Sequence, residues 1–191
     1  MTDLTADCVL IRHGETEWSL DRRHTGRTDL PLLPEGRKQA EALRGPLEGR
    51  TFTAVLVSPL QRAVETCQLA GLGDQAEVEP DLLEWDYGAY EGRTTVDIHR
   101  ERPDWDLFED GAPGGETAAE VGVRVDRVIA RVRAVGGDVA LVAHSHVLRV
   151  LVARWIGLDP TVGRLFVLGP AGLSELGWDR GQPVVQRWNL P

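Results

Sequence analysis

Apolar and polar positions follow two rhythms along this chain. Three short continuous apolar runs have the length of buried strands: Cys8-Val9-Leu10-Ile11, Ala54-Val55-Leu56-Val57 and Val139-Ala140-Leu141-Val142-Ala143. Between them the period lengthens. Pro34 suits the first turn of a helix whose apolar face is Ala40, Leu43 and Leu47. Ser58 as N-cap and Pro59 at N1 open a second helix through Ala70. Val121, Val125, Val128, Ile129 and Val132 mark a long amphipathic helix from Glu116 to Ala134, closed by Gly136-Gly137. Shorter elements are a strand at Ala76–Val78, a helix at Trp105–Phe108, a loop at Gly111–Gly115 and a helix at Val147–Ile156. The tail alternates over Leu165–Val167, Leu173–Trp178 and Val184–Trp188, with Asp179-Arg180-Gly181-Gln182 as a hairpin turn between the last two. Strands alternating with helices predict an α/β fold: a mostly parallel, mixed sheet with an antiparallel C-terminal hairpin. A single domain is expected over residues 1–191.

Composition narrows the partners. A formal net charge of −9 argues against nucleic acid or an anionic membrane on the general surface, so an anionic ligand needs a local basic pocket. No apolar run is long enough for a transmembrane helix, and the first seven residues carry neither a basic region nor an apolar core, so a cytoplasmic location is expected. Cys8 falls in a strand and Cys67 in a helix, which predicts two buried thiols.

The chemistry sits at strand ends. Arg12-His13 directly follows the first strand, and Gly14 is expected to allow a sharp turn there. Open α/β sheets bind ligands at this edge. Arginine offers a phosphoryl group a planar fork of donors, and a neutral imidazole can attack phosphorus. Arg62 stands in the first turns of a helix after a strand, where an anion is favoured; the alternative is a surface pair with Glu65 or Thr66. Glu84 lies among Leu83, Trp85 and Tyr87, an apolar setting that raises a carboxyl pKa and suits a general acid, against a plain solvated carboxylate. His144 follows the strongest strand and, protonated, is a phosphate donor; a metal pair with His146 is the alternative, without the usual cysteine companions. No P-loop, cysteine-phosphatase spacing or Gly-x-Ser-x-Gly elbow is present.

The run Leu10-Ile11-Arg12-His13-Gly14-Glu15-Thr16-Glu17-Trp18 resembles the opening motif of the histidine phosphatase superfamily, which includes cofactor-dependent phosphoglycerate mutases. The likeness continues through Thr25-Gly26, Asp29-Leu30-Pro31-Leu32, Ser58-Pro59, Arg62-Ala63, Glu65-Thr66, Glu84, Glu91-Gly92, Gly114-Gly115-Glu116-Thr117 and His144. It implies a three-layer α/β/α sandwich and a phosphomonoesterase of small phosphorylated metabolites, sugar phosphates or phosphoglycerate-like. His13 becomes phosphohistidine, Arg12, Arg62 and His144 hold the phosphoryl oxygens, and Glu84 protonates the leaving alcohol, which favours a mildly acidic optimum. No metal or organic cofactor is implied. Ser19, Thr25, Gly26, Tyr87 and Ser145 are the candidate substrate contacts; Ser19 stands where many members have asparagine. Residues 84–92 and His144-Ser145-His146-Val147-Leu148-Arg149 resemble the actinobacterial acid phosphatases and the sedoheptulose-bisphosphatase-like branch. The alternatives are a phosphoglycerate mutase and a non-catalytic phosphate-binding module. The stretch Arg93 to Gly115 is short and rich in acids, which favours hydrolysis over transfer. Exposed β-edges and tryptophans permit a homodimer without requiring one.

Overall fold

The structure, a computed structural model, describes residues 7–190. Residues 1–6, on which the expectation of no leader segment largely rests, lie outside the described residues. In chain order the elements are β1 (Cys8–Arg12), α1 (Glu17–Leu20), α2 (Pro34–Ala42), α3 (Arg44–Leu47), β2 (Ala54–Val57), α4 (Gln61–Leu69), β3 (Ala76–Val78), α5 (Thr95–His99), α6 (Leu107–Asp110), α7 (Ala118–Val135), β4 (Val139–Ala143), α8 (Ser145–Trp155), β5 (Leu173–Asp179) and β6 (Gln182–Leu190).

One sheet runs β3-β2-β4-β1-β5-β6. β1 to β4 are mutually parallel where they pair, and β5 and β6 run antiparallel. Successive side chains of the parallel strands point to opposite faces. Cys8, Leu10, Leu56, Leu141 and Ala143 pack beneath α7 and α8, while Val9, Ile11, Val55, Val57, Ala140 and Val142 pack against Leu43, Leu47, Ala63 and Cys67 on the other side. The result is three layers, with Cys8 and Cys67 buried in different ones. α7 shows which force decides. Its valines are poor helix formers by roughly half a kcal/mol each. Val121, Val125, Val128 and Val132 are nearly inaccessible, and burying such a side chain gains about 1.5–3 kcal/mol. Among the described residues no helix is long and apolar enough to cross a membrane.

Several boundaries differ from those expected. α4 starts at Gln61 behind an uncapped Leu60; Ser58 instead extends the sheet, its N–H donating to Val142 O at 3.0 Å. α7 starts after a capping box of Thr117 and Glu120, which leaves Glu116 free to bind Arg124 at 2.8 Å. The expected helix at Trp105–Phe108 begins at Leu107 because Asp106 caps it. The Pro34 helix breaks at Leu43, and Leu47 belongs to α3. Leu165–Val167 is not a strand: Leu165 closes a 3-10 segment, and Leu165 and Val167 are exposed while Phe166 turns in onto Trp188. The hairpin turn is where it was expected, with Arg180 and Gly181 both at positive φ, as a tight two-residue turn requires.

Candidate active site

Register assembles the site. Arg12 pairs with Ala143 and Ile11 with Val142, which in turn pairs with Val57. The next residues, His13, His144 and Ser58, therefore emerge side by side at the C-terminal edge of β1, β4 and β2. The His13 and His144 rings lie 5.1 Å apart, edge to face. Gly14 does not adopt a positive φ. It is needed for a close approach: a Cβ there would lie 2.2 Å from Gly36 O in the first turn of α2. Thr66 ties this loop to α4, accepting Gly14 N–H at 3.0 Å and donating to Arg62 O at 2.7 Å.

His13 has the state a nucleophile needs. Its Nδ1 lies 2.7 Å from Gly14 O, so Nδ1 carries the proton and donates it. Burial first, then the Arg62 and Arg12 charges, hold its pKa well below 6.5. The imidazole is thus neutral at physiological pH, and its Nε2 lone pair has no hydrogen-bond partner among the described residues. Arg12 donates to Leu168 O at 2.6 Å, while its buried Nε has no partner among them. Burial lowers the Arg12 pKa to about 10, which leaves it a cation at neutral pH.

Arg62 is fully buried and not a surface pair; Glu65 pairs with Arg37 instead. Its guanidinium donates to the carbonyls of Thr25, Gly26 and Thr28 at 2.8–3.2 Å. Its Nε donates to His144 Nδ1 at 3.1 Å. That bond requires the His144 proton on Nε2, which lies 2.7 Å from Ser58 Oγ. Burial and then Arg62 hold the His144 pKa well below 6.5. His144 is therefore a neutral donor, not the protonated one expected, and it does not pair with His146.

Glu84 is buried, yet its carboxylate is not in the apolar setting its neighbours predict. Oε1 accepts the N–H groups of Trp85 at 2.8 Å and Val147 at 2.9 Å, and Oε2 accepts that of His146 at 3.0 Å. Two of these are free donors of the first turn of α8, which no side chain of its own caps. The carboxylate is thereby fixed at a helix N-terminus, where negative charge is favoured.

A cavity of about 290 Å³ opens over this arrangement, lined by Arg12, His13, Ser19, Arg22, Arg23, His24, Thr25, Glu84, Tyr87, Thr95, Ser145 and His146. Of the candidate contacts, Ser19, Thr25, Tyr87 and Ser145 are on its wall. Gly26 is not: it is packed where a Cβ would lie 2.5 Å from Trp85 O, and its carbonyl serves Arg62. Arg62 and His144 form the ground behind His13. Tyr87, kept a phenol by burial and the nearby Glu84 charge, pairs with His146 at 2.6 Å. Arg22, Arg23 and His24 on the wall were missed. The only signal for them is a run of three basic-type residues in an acidic chain.

The family model of the histidine phosphatase superfamily (branch 1) matches residues 8–191. An acid phosphatase of Mycobacterium tuberculosis is 40% identical over 178 residues, covering 91% of this chain and 87% of that protein. Sedoheptulose 1,7-bisphosphatase of Saccharomyces cerevisiae is 36% identical over 191 residues, covering 83% of this chain and 70% of its own. The solved structure of an open reading frame from Mycobacterium tuberculosis superposes with a TM-score of 0.91 at 38% identity, over 97% of both chains.

Proposed function

From the premise that this chain belongs to branch 1 of the histidine phosphatase superfamily, we propose that its phosphomonoesterase reaction runs through phosphohistidine at His13. The observation that carries this is the 2.7 Å bond from His13 Nδ1 to Gly14 O. It leaves Nε2 as the lone pair facing a cavity shared with Arg12 and Glu84.

In the first step Nε2 attacks phosphorus and the ester P–O bond breaks. The Glu84 carboxyl gives its proton to the departing alkoxide. The proton enters with the substrate as its phosphate monoanion and passes through Glu84 to the leaving oxygen. In the second step the Glu84 carboxylate takes a proton from water, the oxygen attacks phosphorus, and the N–P bond breaks to release orthophosphate. Arg12, whose Nε lacks a partner among the described residues, holds a phosphoryl oxygen as charge develops. Arg62 adds its positive charge from behind, and His144 keeps its guanidinium in place rather than holding a phosphoryl oxygen itself.

Substrates are small phosphorylated metabolites, a reading supported by the sugar bisphosphatase among the relatives. Hydrolysis is favoured over mutase-like transfer because Arg93, Arg100 and Arg102, the arginines of the short stretch after the acid, are each paired with a local carboxylate: Glu101, Asp97 and Asp110. A reducing, cytoplasmic setting suits two thiols buried in different layers.

The test is hydrolysis of an aryl phosphate. His13→Ala should lower kcat by roughly three orders of magnitude or more while the protein stays folded. The wild type, quenched in turnover, should carry an acid-labile, alkali-stable phosphate that the variant lacks. Equal hydrolysis by both proteins would overturn the mechanism.

A further inference from the structure

The rim of the cavity is basic in a chain of net charge −9. Arg22 and Arg23 both stand on it, and they differ. Arg23 is held: its guanidinium lies 3.6 Å from Asp21 and donates to Gly92 O at 3.3 Å, and its backbone bridges to Thr94. Arg22 makes one backbone bond, N–H to Ser19 O at 3.3 Å. Among the described residues its guanidinium meets neither carboxylate nor carbonyl. Its neighbours are otherwise neutralised, Arg27 by Asp86 and Glu116 and Arg93 by Glu101. Arg22 also stands at φ +58°, in the left-handed region. There a residue other than glycine, asparagine or aspartate is disfavoured by about 1 kcal/mol, and such placements gather at ligand-binding segments.

We propose that Arg22 is a specificity residue: its guanidinium binds a second anionic group on the organic part of the substrate. The enzyme then prefers phosphate esters bearing a carboxylate or second phosphate over those bearing a hydroxyl at that end. This rests on ester hydrolysis at His13. Phosphate at one end of the cavity is held by Arg12, so a rim cation without a protein partner selects for charge at the other end. An uncompensated cation also offsets the repulsion that an acidic surface exerts on an incoming dianion.

Two matched substrate pairs isolate the second anion. 3-Phosphoglycerate and glycerol 3-phosphate differ in a carboxylate against a hydroxymethyl group. Fructose 1,6-bisphosphate and fructose 6-phosphate differ in a phosphate. The wild type should favour the doubly anionic member of at least one pair in kcat/KM, and which pair responds identifies the anion. Arg22→Asn, which keeps a residue tolerant of the left-handed conformation, should reduce that ratio by about fivefold. Arg22→Lys should keep most of it, and added salt should erode it in the wild type. Proportional losses on both members of a pair, or a wild type with no preference in either pair, overturn the assignment. An aryl phosphate run alongside separates the two readings. If it is not hydrolysed, the catalytic reading falls and this one with it; if it is hydrolysed without any preference for a second anion, only the role of Arg22 falls.

Discussion

Neither Gly14 nor Gly36 has room for a side chain: a Cβ would lie 2.2 Å from Gly36 O in the first case and 2.2 Å from Glu15 O in the second. Gly14→Ala should therefore cost about 1–3 kcal/mol of stability, as overpacking does. It should also lower kcat, because the carbonyl that receives the His13 proton belongs to this residue. Urea unfolding and steady-state kinetics check both; an unmoved midpoint would show that the contact is soft. Residue types were legible here and reasons were not. Arg12-His13 after a strand is local information, visible without a fold. That Gly14 serves packing, or that Ser58 serves His144, depends on residues far along the chain. The same holds for Glu84, whose surroundings come from α8 as much as from its aromatic neighbours.

At the scale of elements, the segment 25–28 connects the cavity wall to its ground. Its carbonyls hold Arg62, and Glu91 holds the segment, accepting Gly26 N–H at 2.9 Å and Thr28 N–H at 3.1 Å. Glu91 is thus a positioning residue. Glu91→Ala should lower kcat/KM by about ten- to a hundredfold, the scale of an ångström-level misplacement, and weaken inhibition by inorganic phosphate in parallel. Glu91→Gln, which keeps one accepting oxygen, should recover part of both. A loss in melting temperature with phosphate inhibition intact would mean the role is only structural. The strands were readable because continuous apolar runs of this length have one use in an α/β fold. Helix starts were less so: Pro59 behind a Ser58 cap, Glu116 and Trp105 are the first residues the sequence suggests, and tertiary partners or better caps nearby displace them.

For the whole molecule the notable economy is of charge. His13, His24, His144 and His146 all have pKa values held below 6.5, chiefly by burial. Above pH 6.5 both folded and unfolded chains hold them neutral, and they add no pH dependence. Below it the unfolded chain takes up protons that the folded one refuses, so stability falls with pH, by at most about 1.4 kcal/mol per unit for each histidine. The four act in the same direction, so the fold is acid-sensitive. The urea midpoint should be flat above pH 6.5 and drop steeply towards pH 5; a constant midpoint over that span would refute the linkage. Activity at low pH is then limited from below by the fold. The pairing of β1 with β4 has a consequence in time. Residues 8–12 leave the ribosome well before their neighbour on the site side, residues 139–143. Until those emerge, His13 has no His144 beside it and Glu84 has no α8 to fix it. The site is therefore assembled only after residues 139–155 have been made, however early His13 itself appears.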